Sequence, residues 1–538
     1  MIPLVMILGY LLLLLWIGRL GHVTTSRHTA ADYYVAERSM GPFLLIMSIF
    51  GTTMTAFALT GSTGESWQHG IGVYGLMASW SGIIHSACFF LIGIKLWHLG
   101  KKYGYNTQIQ FFRDRFQSPT FGLLLFPILV SLVTWYIVTN ILGAGATIES
   151  LTRGSLPAFF PETNGGIPHH LGAAVVCLVV LIYVFGGGVR STAWVNVAQT
   201  SVFMLLGVLA LAVIAVKLGG PAAASQRVLE NRPDLLVRGA IDGRPAHFAH
   251  LHFLTYAFVP LSVAMFPHLF QHWMTAKSAK TFRPTVMLHP VFIMLVWAPC
   301  IMLGIWASSA VYNGQSVLPP NLTESDQNKV LGMMVVKLTN PWLAGVLAVG
   351  ILAATLSLDS QFLCLATMFV HDIVLHYTGK KRFNDQQQIM LGRIFVVAVV
   401  LVAYTLSLGA PRSVFNLGVW CFSGFSSLFP LVFAALYWRR VTKAGAYASV
   451  LAAATVWLVL FWHADWGRDG EYLFLGWMMP VVPTFFASAL ALVGVSLVTS
   501  PPPAEVVTRF FPPVKPELAP AAAPHFEVSV NPSGAAAG

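Results

Sequence analysis

Four side chains able to do chemistry, Ser357, Asp359, Ser360 and Gln361, stand inside the apolar run GILAATLSLDSQFLCLATMFVHDI, from Gly350 to Ile373. A carboxylate is costly in hydrocarbon, so such a cluster faces a cavity, a partner or an ion. Oxygen ligands suit hard cations, and intramembrane carboxylates also relay protons. Two other stretches carry a similar conflict. GTTMTAFALTGSTGES (Gly51 to Ser66) holds three glycines and five threonines, and YAFVPLSVAMFPHLFQHW (Tyr256 to Trp273) holds Pro260 and Pro267. Glycine weakens a helix and proline deletes one of its hydrogen bonds. Irregular backbone persists at membrane depth only where it lines protein or water, so both stretches offer free backbone groups and helix-end dipoles to a ligand.

The elements that must position these groups cross a membrane. Of 538 residues, 56% are hydrophobic and only 9% charged, with a mean hydropathy of +0.71. A soluble chain of that length needs far more charge, and apolar runs of about 20 residues, enough to cross a bilayer, recur from end to end. Continuous runs exclude a β-barrel, whose strands alternate over short segments. The expected fold class is an all-α polytopic membrane protein with about thirteen transmembrane helices. These fall near 2–20, 41–66, 72–98, 119–150, 170–187, 192–216, 251–275, 284–310, 341–376, 388–410, 413–437, 444–463 and 473–499. The first lacks a charged leader and a cleavage motif and reads as a retained helix.

Placing the N-terminus outside puts 21 of the 31 Lys and Arg on inner loops and adjoining helix ends. Five of the others lie in one polar loop at 217–244. The positive-inside bias therefore predicts N-out, C-in. A net charge of +11 then reports orientation in the lipid bilayer and not a nucleic-acid partner. Cys88, Cys177, Cys300, Cys364 and Cys421 all sit in apolar segments without CxxC spacing, which argues against disulfides and zinc. Residues 500–538, rich in Pro and Ala, read as a disordered cytoplasmic tail.

Fractured segments in corresponding places of two halves mark the binding site of an inverted-repeat carrier. With the initial helix set aside, they are helices 1 and 6 of a five-plus-five repeat. The organisation expected is a first helix and loop at 1–40, repeats at 41–216 and 251–437, an extracytoplasmic loop at 217–250, and two final helices at 438–499. Gly186-Gly187-Gly188 reads as a tight helix–helix turn.

Several motifs resemble the sodium:solute symporter family over roughly residues 1–500. They are YYVAERSMGPFLLIMSIFGTTMTAFALTGSTGESWQHGIGVYG, YVFGGGVRSTAWVNVAQTSVFML, GILAATLSLDSQ with HDI, and FSSLFPLVFAALYWRRVTKAGAYASV. The resemblance implies a sodium site built from the carbonyls of Gly51 and Met54 in helix 1, the carbonyl of Ala353 in helix 8, and a hydroxyl pair there. Aligned through LDSQ, that pair becomes Leu356-Ser357, so one ligand is missing. Where the family often has W-T-D, this chain has Trp194-Val195-Asn196, an amide in place of a carboxylate. Thr355 or Ser360 can supply an oxygen if helix 8 is distorted, and Asn196 and Asp359 are the candidates for coupling ion to solute.

The family's cavity-lining helices carry Thr53, Thr55, Phe57, Trp135, Asn140, Tyr256, Trp420 and Phe422, an aromatic box suited to a small polar organic solute. His268 and His272, at i and i+4, lack the further ligands of a metal or haem site. Glu65 and Glu149 are expected near the outer surface, and His371-Asp372 as an interfacial cap. No nucleophile–base constellation or metal motif supports an enzyme. The function expected is Na+-coupled uptake of a small organic solute across the cell (inner) membrane, a monocarboxylate first and an amino acid second. The alternatives are a proton-coupled or uncoupled carrier of the same fold, or a solute sensor that keeps it.

Overall fold

The computed structural model describes residues 1–23, 33, 39–239, 250–379, 382–410 and 413–512. The chain from 513 on, Arg27, Arg38, Lys380 and Lys381 lie outside them. Among the described residues, ten helices are long and apolar enough to cross a membrane, or twelve if each of two bent pairs is one span. A shorter apolar helix, His169–Phe185, stands beside them, and the expected thirteen is reached only by counting it as a span.

In chain order, α1 is Ile2–Val23, α2 Pro42–Thr53, α3 Phe57–His69, α4 Gly72–Tyr103, α5 Gln108–Phe116 and α6 Phe121–Leu151. Then follow α7 His169–Phe185, α8 Thr192–Lys217, α9 Pro221–Asn231, α10 Leu251–Ala264, α11 Pro267–Thr275 and α12 Ala279–Ala307. The second half continues with α13 Val330–Leu338, α14 Pro341–Thr355, α15 Asp359–Met368, α16 Asp385–Gly409 and α17 Val414–Tyr437. Last come α18 Lys443–His463, α19 Val481–Val498 and α20 Ala504–Phe510. The only sheet among the described residues is a hairpin of β1 Val311–Tyr312 and β2 Gln315–Ser316.

Burial separates inner from outer helices. In Val414–Tyr437 and Pro341–Thr378, 83% and 72% of the apolar window is buried, against 28% for Thr192–Lys217, Asp385–Gly409 and Val481–Val498. Leu12, Leu205 and Leu490 point outward, which a membrane chain tolerates because lipid is their solvent. Between α7 and α8, Gly188 adopts φ +60, and a Cβ there would lie 2.5 Å from the Tyr33 carbonyl. The tight turn requires glycine for both reasons.

Both fractures expected from composition are present. The pair α2 and α3 bends by 56°, and α10 and α11 by 50°. The span expected at 341–376 is present as Pro341–Thr378, with an interruption between Thr355 and Asp359. Two expectations need correction. The last span begins at Val481, because Phe474 pairs with Met478 in a local bridge. Residues 504–510, assigned to a disordered tail, form a docked helix. Its Phe510 is buried beside Tyr103 and Phe111, with centroids 5.8 and 6.1 Å away, and Arg509 pairs with Asp114. Composition alone gave no sign of these partners, which lie about 400 positions upstream.

Candidate functional site

At the first fracture the backbone turns out of the helix at Met54, with φ −95 and ψ 88. The break is held open from α6. Asn140 Oδ1 accepts the amide of Ala56 at 3.0 Å, and Tyr136 and Thr55 share a hydrogen bond of 3.3 Å between hydroxyls. Most of the other hydroxyls here return to their own helix. Thr53 donates to the carbonyls of Ile49 and Phe50, Thr60 to Ala56, and Thr63 to Leu59. Among the described residues, no backbone amide or side chain is bonded to the carbonyls of Gly51 or Met54. A buried carbonyl in that state needs a partner.

The interruption of helix 8 has the same consequence. Leu356 still donates to Leu352, but Leu358 donates to Leu356, two residues back. Among the described residues, the Ala353 carbonyl then receives no amide. The Ser357 hydroxyl donates to Ala354 at 2.6 Å and keeps its oxygen lone pairs for a ligand. Thr355 donates to Leu352 at 3.0 Å. Leu356 offers no hydroxyl.

Helix α8 joins the two breaks. A Cβ on Gly51 would lie 2.3 Å from Thr200 Oγ1 and 3.3 Å from the Asn196 carbonyl, so only glycine lets these helices approach this closely. On the other side, Asn196 Nδ2 donates to Ser360 Oγ at 3.0 Å, and His272 Nε2 of α11 meets the same oxygen at 3.1 Å. Asp359 is fully buried. Its Oδ1 accepts the Ser360 amide at 2.8 Å, while Oδ2 has no hydrogen-bond partner, and neither does Asn196 Oδ1. A buried carboxylate with an idle oxygen calls for a cation or a proton.

A small cavity lies where both fractures meet. Thr53, Met54 and Phe57 border it from helix 1, and Tyr256, Val259 and Phe266 from helix 6. His85, Tyr136, Trp297 and Phe422 close it. Four of the eight solute candidates therefore reach the cavity or its wall directly: Thr53, Phe57, Tyr256 and Phe422. Thr55 and Asn140 stand behind it, holding the break. Trp135 turns away and lies edge-on to Phe461, 5.8 Å between centroids. Trp420 lines a neighbouring cavity with Tyr256, Glu65 and His69. His85, Tyr136 and Trp297 went unnoticed in the sequence, where nothing but a polar atom in an apolar run marks them.

Glu65 and Glu149, expected near the outer surface, are buried side chains rather than exposed ones. Glu149 is buried and pairs with Lys329 at 2.7 Å, and Glu65 is buried 3.8 Å from His69. Asp372 is fully buried, accepting from Thr107 at 3.0 Å and standing 3.4 Å from Arg113, so it ties helix 8 to α5 rather than capping an end. Among the described residues, no three His, Cys, Asp or Glu groups gather as a metal centre.

Residues 33–453 match the profile of the Sodium:solute symporter family. The high-affinity proline transporter of Bacillus subtilis (strain 168) is 25% identical over 510 residues, covering 92% of this chain and 98% of its own. The sodium/pantothenate symporter of Escherichia coli (strain K12) is 26% identical over 489 residues, covering 89% and 92%. A solved outward-open, substrate-bound Na+-coupled sialic acid symporter superposes with a TM-score of 0.70 at 16% identity, covering 93% of this chain and 98% of that one, which shows the shared fold. The chain belongs to the sodium:solute symporter family, multi-pass membrane transporters and not enzymes, whose co-transported ion is Na+.

Proposed function

We propose that this protein takes up a small organic solute by alternating access, driven by Na+ held between helix 1 and the interruption of helix 8. The ligands are the carbonyls of Gly51, Met54 and Ala353 and the hydroxyl of Ser357. The observation that carries this reading is that these three carbonyls, each at a helix break, accept no hydrogen bond among the described residues. Sodium prefers several hard oxygens, as related cations do, and Asp359 supplies the charge that Asn196 lacks. Its carboxylate, one residue from the shared Ser360 hydroxyl, couples the ion site to α8 and α11. Ion occupancy favours the outward-open state, which raises solute affinity, as linkage requires.

The names of the relatives support an amino acid ahead of a monocarboxylate, reversing the order drawn from the sequence. The N-terminus lies outside and the C-terminus inside, with repeats at 41–216 and 251–437 turning against each other. Uptake of radiolabelled L-proline into proteoliposomes tests the reading. A sodium gradient should drive accumulation, and Ser357→Ala should raise the half-saturating sodium concentration about tenfold. A second reading, proton coupling through the idle Asp359 oxygen, is favoured instead if a pH gradient without sodium drives equal uptake.

A further inference from the structure

Two N–H donors of residues at the cavity wall have no hydrogen-bond partner among the described residues. Trp297 Nε1 is buried without a hydrogen bond. His85, 7% exposed, uses Nδ1 to meet His289 Nε2 at 3.1 Å, and its Nε2 bonds to no described residue. His289 sits outside the cavity wall, clamped edge-on between Phe50 and Phe89 at centroid distances of 5.4 and 4.9 Å. Its Nδ1 is buried without a partner.

The network assigns the hydrogens. With its hydrogen on Nε2, His289 donates to His85. With the hydrogen on Nδ1, it would bury an orphaned N–H, the rarer outcome. His85 Nδ1 is therefore the acceptor, and a neutral imidazole must then carry its hydrogen on Nε2. Among the described residues, no lysine or arginine lines the cavity. Its wall presents Phe57, Tyr136, Phe266 and Phe422 as apolar surface, with two N–H groups left to satisfy.

We propose that the N–H groups of His85 Nε2 and Trp297 Nε1 hold the solute's carboxylate, with His289 as the positioning residue that fixes the His85 tautomer. This rests on the carrier reading above, whose candidate solutes are carboxylates, and names the groups that hold that carboxylate. A carboxylate has two oxygens to accept both donors, and hydrogen bonds to a charged group are the stronger kind. An amide or alcohol in its place forfeits that charge assistance.

The test uses purified full-length protein in sodium, with thermal unfolding read against matched pairs: L-proline and prolinamide, pantothenate and pantothenol, lactate and lactamide. In the wild type the free acid of at least one pair should bind about tenfold or more tightly than its neutral partner. His85→Leu and Trp297→Phe should each bring that ratio within about threefold of unity, because each removes one donor. His85→Gln, which keeps an N–H, should retain most of it. His289→Phe should lower the ratio while leaving His85 in place. The ratio within one variant does not depend on how much of it folds, and Trp297→Phe and His85→Gln stand in should His85→Leu fail to fold. A wild type that binds acid and neutral partner alike, or His85→Leu and Trp297→Phe that both keep the full ratio, overturns the proposal alone. No sodium-dependent response to any pair overturns the carrier reading and this proposal together.

Discussion

The two fractured helices break for different reasons and leave different surfaces. At the second break, Pro260 and Pro267 supply no amide, and side chains from other helices bond two carbonyls beside it. Gln108 donates to Met265 at 3.2 Å and Ser426 to Val259 at 2.8 Å. The space beside it is filled by rings, with Phe266 against His268 at 5.0 Å and Phe425 at 4.9 Å. At the first break no proline is present, Asn140 captures one amide, and among the described residues the carbonyls of Gly51 and Met54 stay unclaimed. A carbonyl that is already bonded is part of a wall. One that is idle and shares its site with other oxygens is a place for a cation.

Substitutions that separate these two kinds of break differ in size. The largest effect is expected at Gly51→Val, because the added Cβ would meet Thr200 at 2.3 Å, a hydroxyl already bonded to Met47. Displacing the carbonyl should lower apparent sodium affinity about 100-fold, read from the sodium dependence of uptake. Asp359→Asn removes the buried charge while keeping its volume. It should weaken sodium activation by roughly 30-fold, and a sodium curve unchanged from the wild type would remove Asp359 from the coupling. Ser357→Ala should cost about tenfold in the same curve, with Ser357→Thr restoring most of it. The smallest effect on sodium belongs to the second break. Gln108→Ala and Ser426→Ala each remove a side-chain hydrogen bond to a carbonyl and should cost about 1 kcal/mol of stability in a thermal melt. Their half-saturating sodium concentrations should stay within about twofold of the wild type.

Both large fractures were legible in the sequence because their causes are local: Gly and Thr crowded in one stretch, Pro260 and Pro267 in the other. The interruption at Leu356–Leu358 was not. Leu-Ser-Leu contains no breaker, and the irregularity depends on contacts such as the Tyr183 hydroxyl on the Leu356 carbonyl, 173 positions away. His85 and His289 are 204 positions apart and gave no shared signal. Trp135 and Asn140 were placed on the right helix, but α6 is apolar on every side and its periodicity could not tell cavity from packing. The tail failed for a related reason, since Phe510 and Arg509 are ordered by partners on α5 and the end of α4 rather than by their neighbours in sequence.

The central claim is that the idle carbonyls of Gly51, Met54 and Ala353 hold sodium, whereas the Met265 and Val259 carbonyls, bonded from side chains, do not. Equilibrium binding of 22Na+ to the purified protein, without solute, addresses it most directly. Saturable binding should be seen in the wild type and in Gln108→Ala, and should be about tenfold weaker in Ser357→Ala. Binding that Ser357→Ala and Gly51→Val leave at the wild-type level would contradict the account.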